Sequence, residues 1–287
     1  MEPDYKPQPQ PSDWIGVFDS GLGGLSILKE LRRELPDERI FYFADNLHLP
    51  YGPRPLDEVR HFATVIAGKL LRLPAKIVVV ACNTASAAAL KHLRLAFPGT
   101  MFVGMEPAVK PAAAESRSGR VGVLATQATF QGELYESVVE RFAQDVEVIR
   151  QPCPGLAEFI ENHPPDHPAL APMLEKFISP LLEKGVDTIV LACTHYPLVA
   201  DAIRKAAGDG VRIVDPSPAI ARRTRSLLEE ANLLAATGEG GAMFNVSGDA
   251  ASFSDSASIH LGMPVRAENL PFCWVPVNPD DTPDIWA

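Results

Sequence analysis

The sequence predicts an α/β fold made of two similar open-sheet domains with a pseudo-two-fold relation, facing each other across a cleft. Three observations carry that expectation. Apolar runs of strand length alternate with helical patterns along most of the 287 residues, which implies βαβ units and largely parallel sheets. Residues 77–93, IVVVACNTASAAALKHL, and 188–204, TIVLACTHYPLVADAIR, share one pattern: an apolar strand ending in Ala-Cys, a polar pair, then a helix. The interval between the two copies is the size of a domain.

Taken in order, Ile15–Phe18 reads as the first strand, and leucines at 22, 25, 28, 31 and 35 follow at helical spacing. Ile40–Phe43 is the second strand. Val59, Phe62, Ala63, Ile66 and Leu70 then mark an amphipathic helix, with Asp57 and Glu58 in the first turn where the helix dipole favours them. Ile77–Ala81 and Met101–Gly104 complete a first group of strands. Val121–Leu124, Val146–Ile149, Thr188–Ala192 and Val211–Val214 form the second. The expected limits are a disordered tail over 1–13, a first domain over 14–106 with 216–261, a second over 107–215, and a Pro-rich C-terminal tail over 262–287. Four prolines in the first eleven residues, with no apolar stretch, fit neither a signal peptide nor a core. After Ala235 the pattern decays, and five prolines from Pro264 onward predict an irregular tail.

Composition narrows the function. Hydrophobic residues at 46% and charged residues at 22% are those of a globular chain with a real core. A net charge of −10 argues against nucleic acid and against anionic membranes as partners. The apolar runs are far shorter than the roughly 20 residues of a membrane span. Four cysteines are too few for a disulfide scaffold, so a cytoplasmic location is expected and each cysteine is judged on its reactivity.

Ligands of open parallel sheets bind beyond the carboxyl ends of the strands. There the first strand presents Asp19-Ser20 and the turn Gly21-Leu22-Gly23-Gly24. The second presents Asp45-Asn46 and then Pro50-Tyr51-Gly52. The repeated strands present Cys82-Asn83-Thr84 and Cys193-Thr194-His195, and the strand at Val121–Leu124 presents Thr126 and Thr129. Both thiols fall at strand-to-helix turns, where the dipole is expected to lower a cysteine pKa from about 8.5. A single reactive thiol suggests a nucleophile. Two, from matched positions across a cleft, suggest proton removal from one face of a carbon and delivery to the other, with Asp19 and His195 as partners. The matched pair and its polar neighbours disfavour the alternative of two small buried hydrophobes.

Rival sites fit less well. The glycine turn lacks the third glycine of a dinucleotide fingerprint, Ser26 standing in its place, and Asp19 would repel a pyrophosphate. The turn reads instead as a tight bend that brings helix amides toward an anionic group of a small ligand. Asp19, Cys193 and His195 do not form a standard zinc spacing, and no lysine lies at these strand tips for pyridoxal phosphate. Cys153 and Cys273 read as inert, and His163 and His167 as part of a solvated loop.

As a set, Ile15-Gly-Val-Phe-Asp-Ser-Gly-Leu-Gly-Gly-Leu25, Pro50-Tyr-Gly52, Ala81-Cys-Asn-Thr-Ala-Ser86 and Ala192-Cys-Thr-His-Tyr-Pro197 resemble the cofactor-independent aspartate/glutamate racemase family, its glutamate racemases in particular. Leu124-Ala-Thr126 with Thr129, and Cys153-Pro154 with Glu161, add weaker matches; the resemblance spans about residues 14–235. It implies interconversion of L- and D-glutamate for peptidoglycan synthesis by a homodimer that uses no cofactor and no metal. Cys82 and Cys193 become the acid/base pair, with Asp19 assisting Cys82, and His195 with Glu161 assisting Cys193. Asp19, Ser20, Tyr51, Gly52, Asn83, Thr84, Thr194 and His195 would hold the amino acid, with Thr126 a further contact. His48 and Leu49 depart from the family pattern before Pro-Tyr-Gly, and the C-terminal tail has no counterpart. A sister enzyme for aspartate, a hydantoin or maleate and a non-enzymatic amino-acid binder remain alternatives. The complete Asp-Ser-Gly-x-Gly-Gly and Cys-Thr-His-Tyr-Pro set favours glutamate, and a binder has no need of two opposed thiols.

Overall fold

A computed structural model describes residues 8–270, apart from 144, 237 and 239. Its strands are β1 (Trp14–Asp19), β2 (Arg39–Ala44), β3 (Ala75–Val80), β4 (Phe102–Gly104), β5 (Arg120–Ala125), β6 (Glu147–Pro152), β7 (Thr188–Ala192), β8 (Arg212–Val214), β9 (Gly241–Val246) and β10 (Ala267–Asn269). They form a sheet in the order β10-β9-β2-β1-β3-β4 and a second in the order β6-β5-β7-β8. Every pairing is parallel, so the connections are crossovers and not hairpins.

In the first sheet the crossovers run through α1 (Leu25–Glu34), α2 (Leu56–Leu70) and α3 (Asn83–Ala96), and α4 (Val109–Glu115) leads into the second sheet. There α5 (Gln127–Gln131), α6 (Glu133–Phe142), α7 (Leu156–Asn162), α8 (Leu170–Glu183) and α9 (Ala200–Ala207) cover the two faces. The chain returns through α10 (Ser217–Glu230), and α11 (Ala250–Leu261) joins β9 to β10.

The pleat divides each strand between two cores. On β3, Ile77 and Val79 join the core formed with α1, α10 and α11, while Val78 and Val80 join the one formed with α2 and α3. Burial on both faces is why these strands read as continuous apolar runs. Four successive strands of the first sheet, β2-β1-β3-β4, recur as β6-β5-β7-β8 in the second. Thus β3 and β7, which carry the repeated Ala-Cys ends, hold equivalent places.

The end of the chain corrects one expectation. Beyond Ala235 the chain still adds two strands to the first sheet, and residues 262–270 of the expected tail are folded. Strand β9 leaves little trace in the sequence because its apolar run is broken: Met243 is 45% exposed and Asn245 interrupts it, though Phe244 and Val246 enter the core. Gly262 ends α11 in the left-handed conformation at φ 64°, Val265 is buried, and β10 pairs with β9. Residues 271–287, with Cys273, and residues 1–7 lie outside the described part. Residues 8–13 are not detached, because the carbonyl of Pro11 accepts a hydrogen bond from Lys76 Nζ.

That lysine is the second feature hidden from the sequence. Its side chain is fully buried at the start of β3, with Nζ 2.6 Å from Glu38 Oε2 and donating to the carbonyl of Leu233 at 2.9 Å. Glu38 Oε1 in turn accepts from the Ala235 amide at 2.9 Å. One ion pair therefore ties together the N-terminal lead-in, the start of β2, β3 and the segment before β9. Among the described residues, no helix is long and apolar enough to cross a membrane.

Candidate active site

A cavity of about 330 Å³ opens at the carboxyl ends of both sheets. From the first sheet, Ser20 follows β1, Tyr51 and Gly52 follow β2, and Cys82, Asn83 and Thr84 follow β3. From the second, Thr126 follows β5, while Cys193, Thr194 and His195 follow β7. Of the residues expected to act on or hold the substrate, only Asp19 and Glu161 do not line the cavity; Asp19 lies beside Cys82, and Glu161 behind His195.

On the Cys82 side, the sulfur caps α3, accepting from the Ala85 amide at 3.5 Å, and lies 3.8 Å from Ser20 Oγ. The expected lowering of its pKa is not found. Burial, and after it the Asp19 charge, push the thiol well above its ordinary range, because one helix amide cannot replace the lost water. Asp19 is itself fully buried, which raises its carboxyl, while His195 and the amides of Ser20 and Gly24 pull it back. Its Oδ2 accepts from the Gly24 amide at 2.5 Å and from Thr194 Oγ1 at 3.3 Å.

The Cys193 side is built differently. The helix expected after Cys193 is only a 3-10 turn, Tyr196–Val199, before α9 begins. Here an imidazole stands in for the helix end: His195 Nδ1 lies 3.9 Å from Cys193 Sγ, and its Nε2 lies 2.7 Å from Glu161 Oε2. Burial alone would lower the imidazole, but its bonds to Cys193 and Glu161 outweigh that and hold it well above its usual range. Glu161 Oε2 also accepts from the Leu22 amide, in the turn after β1, at 2.8 Å.

The Gly21–Gly24 turn thus serves the protein's own carboxylates: the amide of Leu22 holds Glu161, and that of Gly24 holds Asp19. This corrects the expectation that its amides face a ligand anion. Nor do the glycines supply positive φ, since Gly21, Gly23 and Gly24 all have ordinary values. What they supply is clearance. A Cβ on Gly23 would sit 2.5 Å from both His195 Nδ1 and Thr194 Oγ1, and one on Gly21 would sit 2.6 Å from the Glu161 carboxylate. Gly23→Ala is therefore expected to displace His195 and lower turnover by about a hundredfold, the scale of a misplaced catalytic group, with an unchanged far-ultraviolet circular dichroism spectrum.

Asn83 is 2% exposed, and neither its Oδ1 nor its Nδ2 has a protein partner. A buried amide so placed can both donate to and accept from a molecule in the cavity. Thr84 Oγ1 meets Thr126 Oγ1 at 2.9 Å, which joins the loops of the two sheets along the cavity wall. Tyr51 is fixed by Asp45, whose Oδ2 accepts its hydroxyl at 2.6 Å and whose Oδ1 accepts Ser247 Oγ at 2.7 Å. His48, a departure from the family pattern, joins the same support: its Nδ1 lies 2.9 Å from Asp45 Oδ1, and its ring stacks on Phe62 at 4.1 Å.

Sequence reasoning missed part of the cavity. Cys153, Gln127 and Glu158 line it, and the strand-tip rule points to the first, because Cys153 directly follows β6. Burial pushes the Cys153 thiol up to about 12, so it stays protonated near neutral pH. His163 and His167 gather around Phe159, with ring centroids 4.2 and 5.4 Å from it, and do not line the cavity. Among the described residues, no group of three or more His, Cys, Asp or Glu side chains is arranged to hold a metal ion.

Two parallel sheets whose strand ends close on one cavity with a cysteine from each define a class, and comparison with known proteins gives it a name. Residues 15–224 match the Asp/Glu/Hydantoin racemase family, and the chain belongs to that family. Within it the chain falls among the glutamate racemases, which are isomerases. It is 52% identical over 220 residues to a glutamate racemase of Roseiflexus sp. (strain RS-1), covering 77% of this chain and 81% of that one. A glutamate racemase isoform from Bacillus anthracis superposes with a TM-score of 0.85 at 33% identity, covering 94% of this chain and 100% of that one. The Francisella tularensis glutamate racemase, solved in complex with D-glutamate, gives 0.81 at 28% identity over 92% and 99% of the two chains.

Proposed function

We propose that this chain interconverts L- and D-glutamate by moving a proton at Cα between two thiols, Cys82 and Cys193, without a cofactor. The observation that carries the reading is the pairing of supports. The cysteines end equivalent strands and open into one cavity, each with its own titratable partner behind it, Asp19 for Cys82 and His195 with Glu161 for Cys193. The names of the relatives, and the D-glutamate bound by one of them, support glutamate as the substrate.

In each direction one thiolate removes the Cα proton and the opposite thiol returns a proton to the other face. The Cα–H beside a carboxylate is a weak acid, so a weak base would not suffice. Burial makes the Cys82 thiolate a stronger base once it forms, because a raised pKa strengthens the conjugate base. Asp19 accepts the thiol proton on that side, and His195 steadies a thiolate on the other. Asn83 and the hydroxyls of Thr84 and Thr194 bind the substrate carboxylate, and water displaced by the substrate strengthens those bonds as negative charge develops. Ser20, Tyr51 and Gly52 complete the hold on the amino acid, and Thr126 is a further contact. The same reading takes the enzyme to be a cytoplasmic homodimer that supplies D-glutamate for peptidoglycan.

The test is Cα exchange in D₂O. Protein without added cofactor is given L-glutamate, D-glutamate or L-aspartate, with loss of the α-proton followed by NMR and loss of optical activity by circular dichroism. Deuterium entering both enantiomers of glutamate as optical activity vanishes is the expected result. Exchange with aspartate alone moves the chain to a sister enzyme, and no exchange with any of the three overturns the reading.

A further inference from the structure

We propose that Tyr42, which does not touch the cavity, is a positioning residue for the Cys193 side of the site, acting through a single peptide plane. The inference rests on the two-thiol reading above and extends it to a residue outside the cavity wall. Tyr42 lies on β2 with its side chain fully buried, and its hydroxyl donates to the carbonyl of Gly21 at 2.7 Å. That carbonyl and the amide of Leu22 belong to the same peptide unit. The unit is planar and trans, so fixing the oxygen at one edge aims the N–H at the other.

The Leu22 N–H is the group that donates to Glu161 Oε2, and the same oxygen lies 2.7 Å from His195 Nε2. A continuous chain of contacts therefore runs from Tyr42 through the Gly21–Leu22 peptide, Glu161 and His195 to Cys193. The ring cannot swing out of this position, since it is held against Phe244 and Phe253 at centroid distances of 6.0 and 6.2 Å. The hydroxyl also lies directly beneath the turn, 2.7 Å from where a Cβ on Gly24 would stand. Burial and the nearby carboxylates of Asp19 and Glu161 keep the phenol protonated, and so a donor. Without that donor the Gly21–Leu22 peptide is free to rotate, and Glu161 loses the amide that fixes its oxygen toward His195.

Tyr42→Phe removes the hydroxyl and leaves the ring. It is expected to lower kcat by about ten- to a hundredfold in both directions with KM within about twofold, because a positioning defect reaches the reacting groups and not the substrate contacts. The deciding comparison is the same substitution in a Glu161→Gln background. If Tyr42 acts through Glu161, the double variant is slower than Glu161→Gln by less than about twofold, since residues acting in series are not additive. An equal fold loss in both backgrounds, or an unchanged kcat in Tyr42→Phe, overturns the inference. Leu228→Ala, a buried residue of α10 in the same core, serves as the stability control, expected to lower Tm and leave kcat near wild type; if it reproduces the Tyr42→Phe loss, lost core packing and not the hydroxyl is responsible, and the inference fails. Cys193→Ser in the same assay keeps the two readings apart. Normal racemisation by that variant sinks the two-thiol reading, whereas the coupling of Tyr42 to Glu161 is decided by the comparison of backgrounds alone.

Discussion

Replacing either Cys82 or Cys193 by serine is expected to lower racemisation by about a hundred- to ten-thousandfold, the range contributed by a positioned acid or base. A serine hydroxyl is too weak an acid to be ionised by Asp19 or by His195, so each substitution removes one of the two proton carriers. The losses should nevertheless differ in kind. A single remaining thiol still removes the proton it faces and returns one from solvent to the same side. Each variant should therefore exchange the Cα proton of one enantiomer without inverting it, and the two variants should prefer opposite enantiomers. NMR in D₂O reads the exchange, and circular dichroism the absence of inversion. Exchange of both enantiomers by one of the single variants would contradict a one-thiol-per-face arrangement.

The largest effect on stability is expected at the other end of the sheet. Lys76→Met removes the cation from a pair in which both side chains are almost wholly buried. It leaves Glu38 charged in the interior and the carbonyls of Pro11 and Leu233 without their donor. Breaking such a pair from one side costs about 3–5 kcal/mol, which a shift of the urea midpoint will show. Turnover well below the unfolding transition should be unaffected, because Lys76 begins the strand that Cys82 follows, a strand's length from the cavity. A loss below about 1 kcal/mol would mean that water or relaxation screens the charge left behind.

Much of the fold was legible because its strands are buried on both faces. Ile15–Phe18, Ile77–Ala81 and Thr188–Ala192 announce themselves as apolar runs, and the recurrence of Ala-Cys after two of them shows the repeat. Strand β9 was not legible, since Asn245 and the half-exposed Met243 break its run, and β10 is three residues long in Pro-rich surroundings. The residues of the site could be found at strand ends, but their surroundings could not. A side chain at Gly21 or Gly23 would meet Glu161, His195 or Thr194, well over a hundred positions away. The dipole expectation failed at Cys82, where burial outweighs one amide, and the helix expected after Cys193 is only a short 3-10 turn. The support of Tyr51 by Asp45, His48 and Ser247 joins three segments that nothing in their order connects.

On the two-thiol reading, the seam at the back of the cavity couples the two halves of the site. The hydrogen bonds that hold the two sheets' loops together there run from Leu22 to Glu161, from Thr194 to Asp19, and from Ser26 to the Thr194 carbonyl at 3.1 Å. Two of the three involve Asp19 and Glu161, the carboxylates proposed above to support the cysteines. Hydrogen bonds weaken steeply with distance and angle, so any parting of the lobes slackens the seam and both proton relays in one movement. On that reading the wiring acts as an interlock: both cysteines keep their partners only while the halves are latched, and a parted molecule loses the two together.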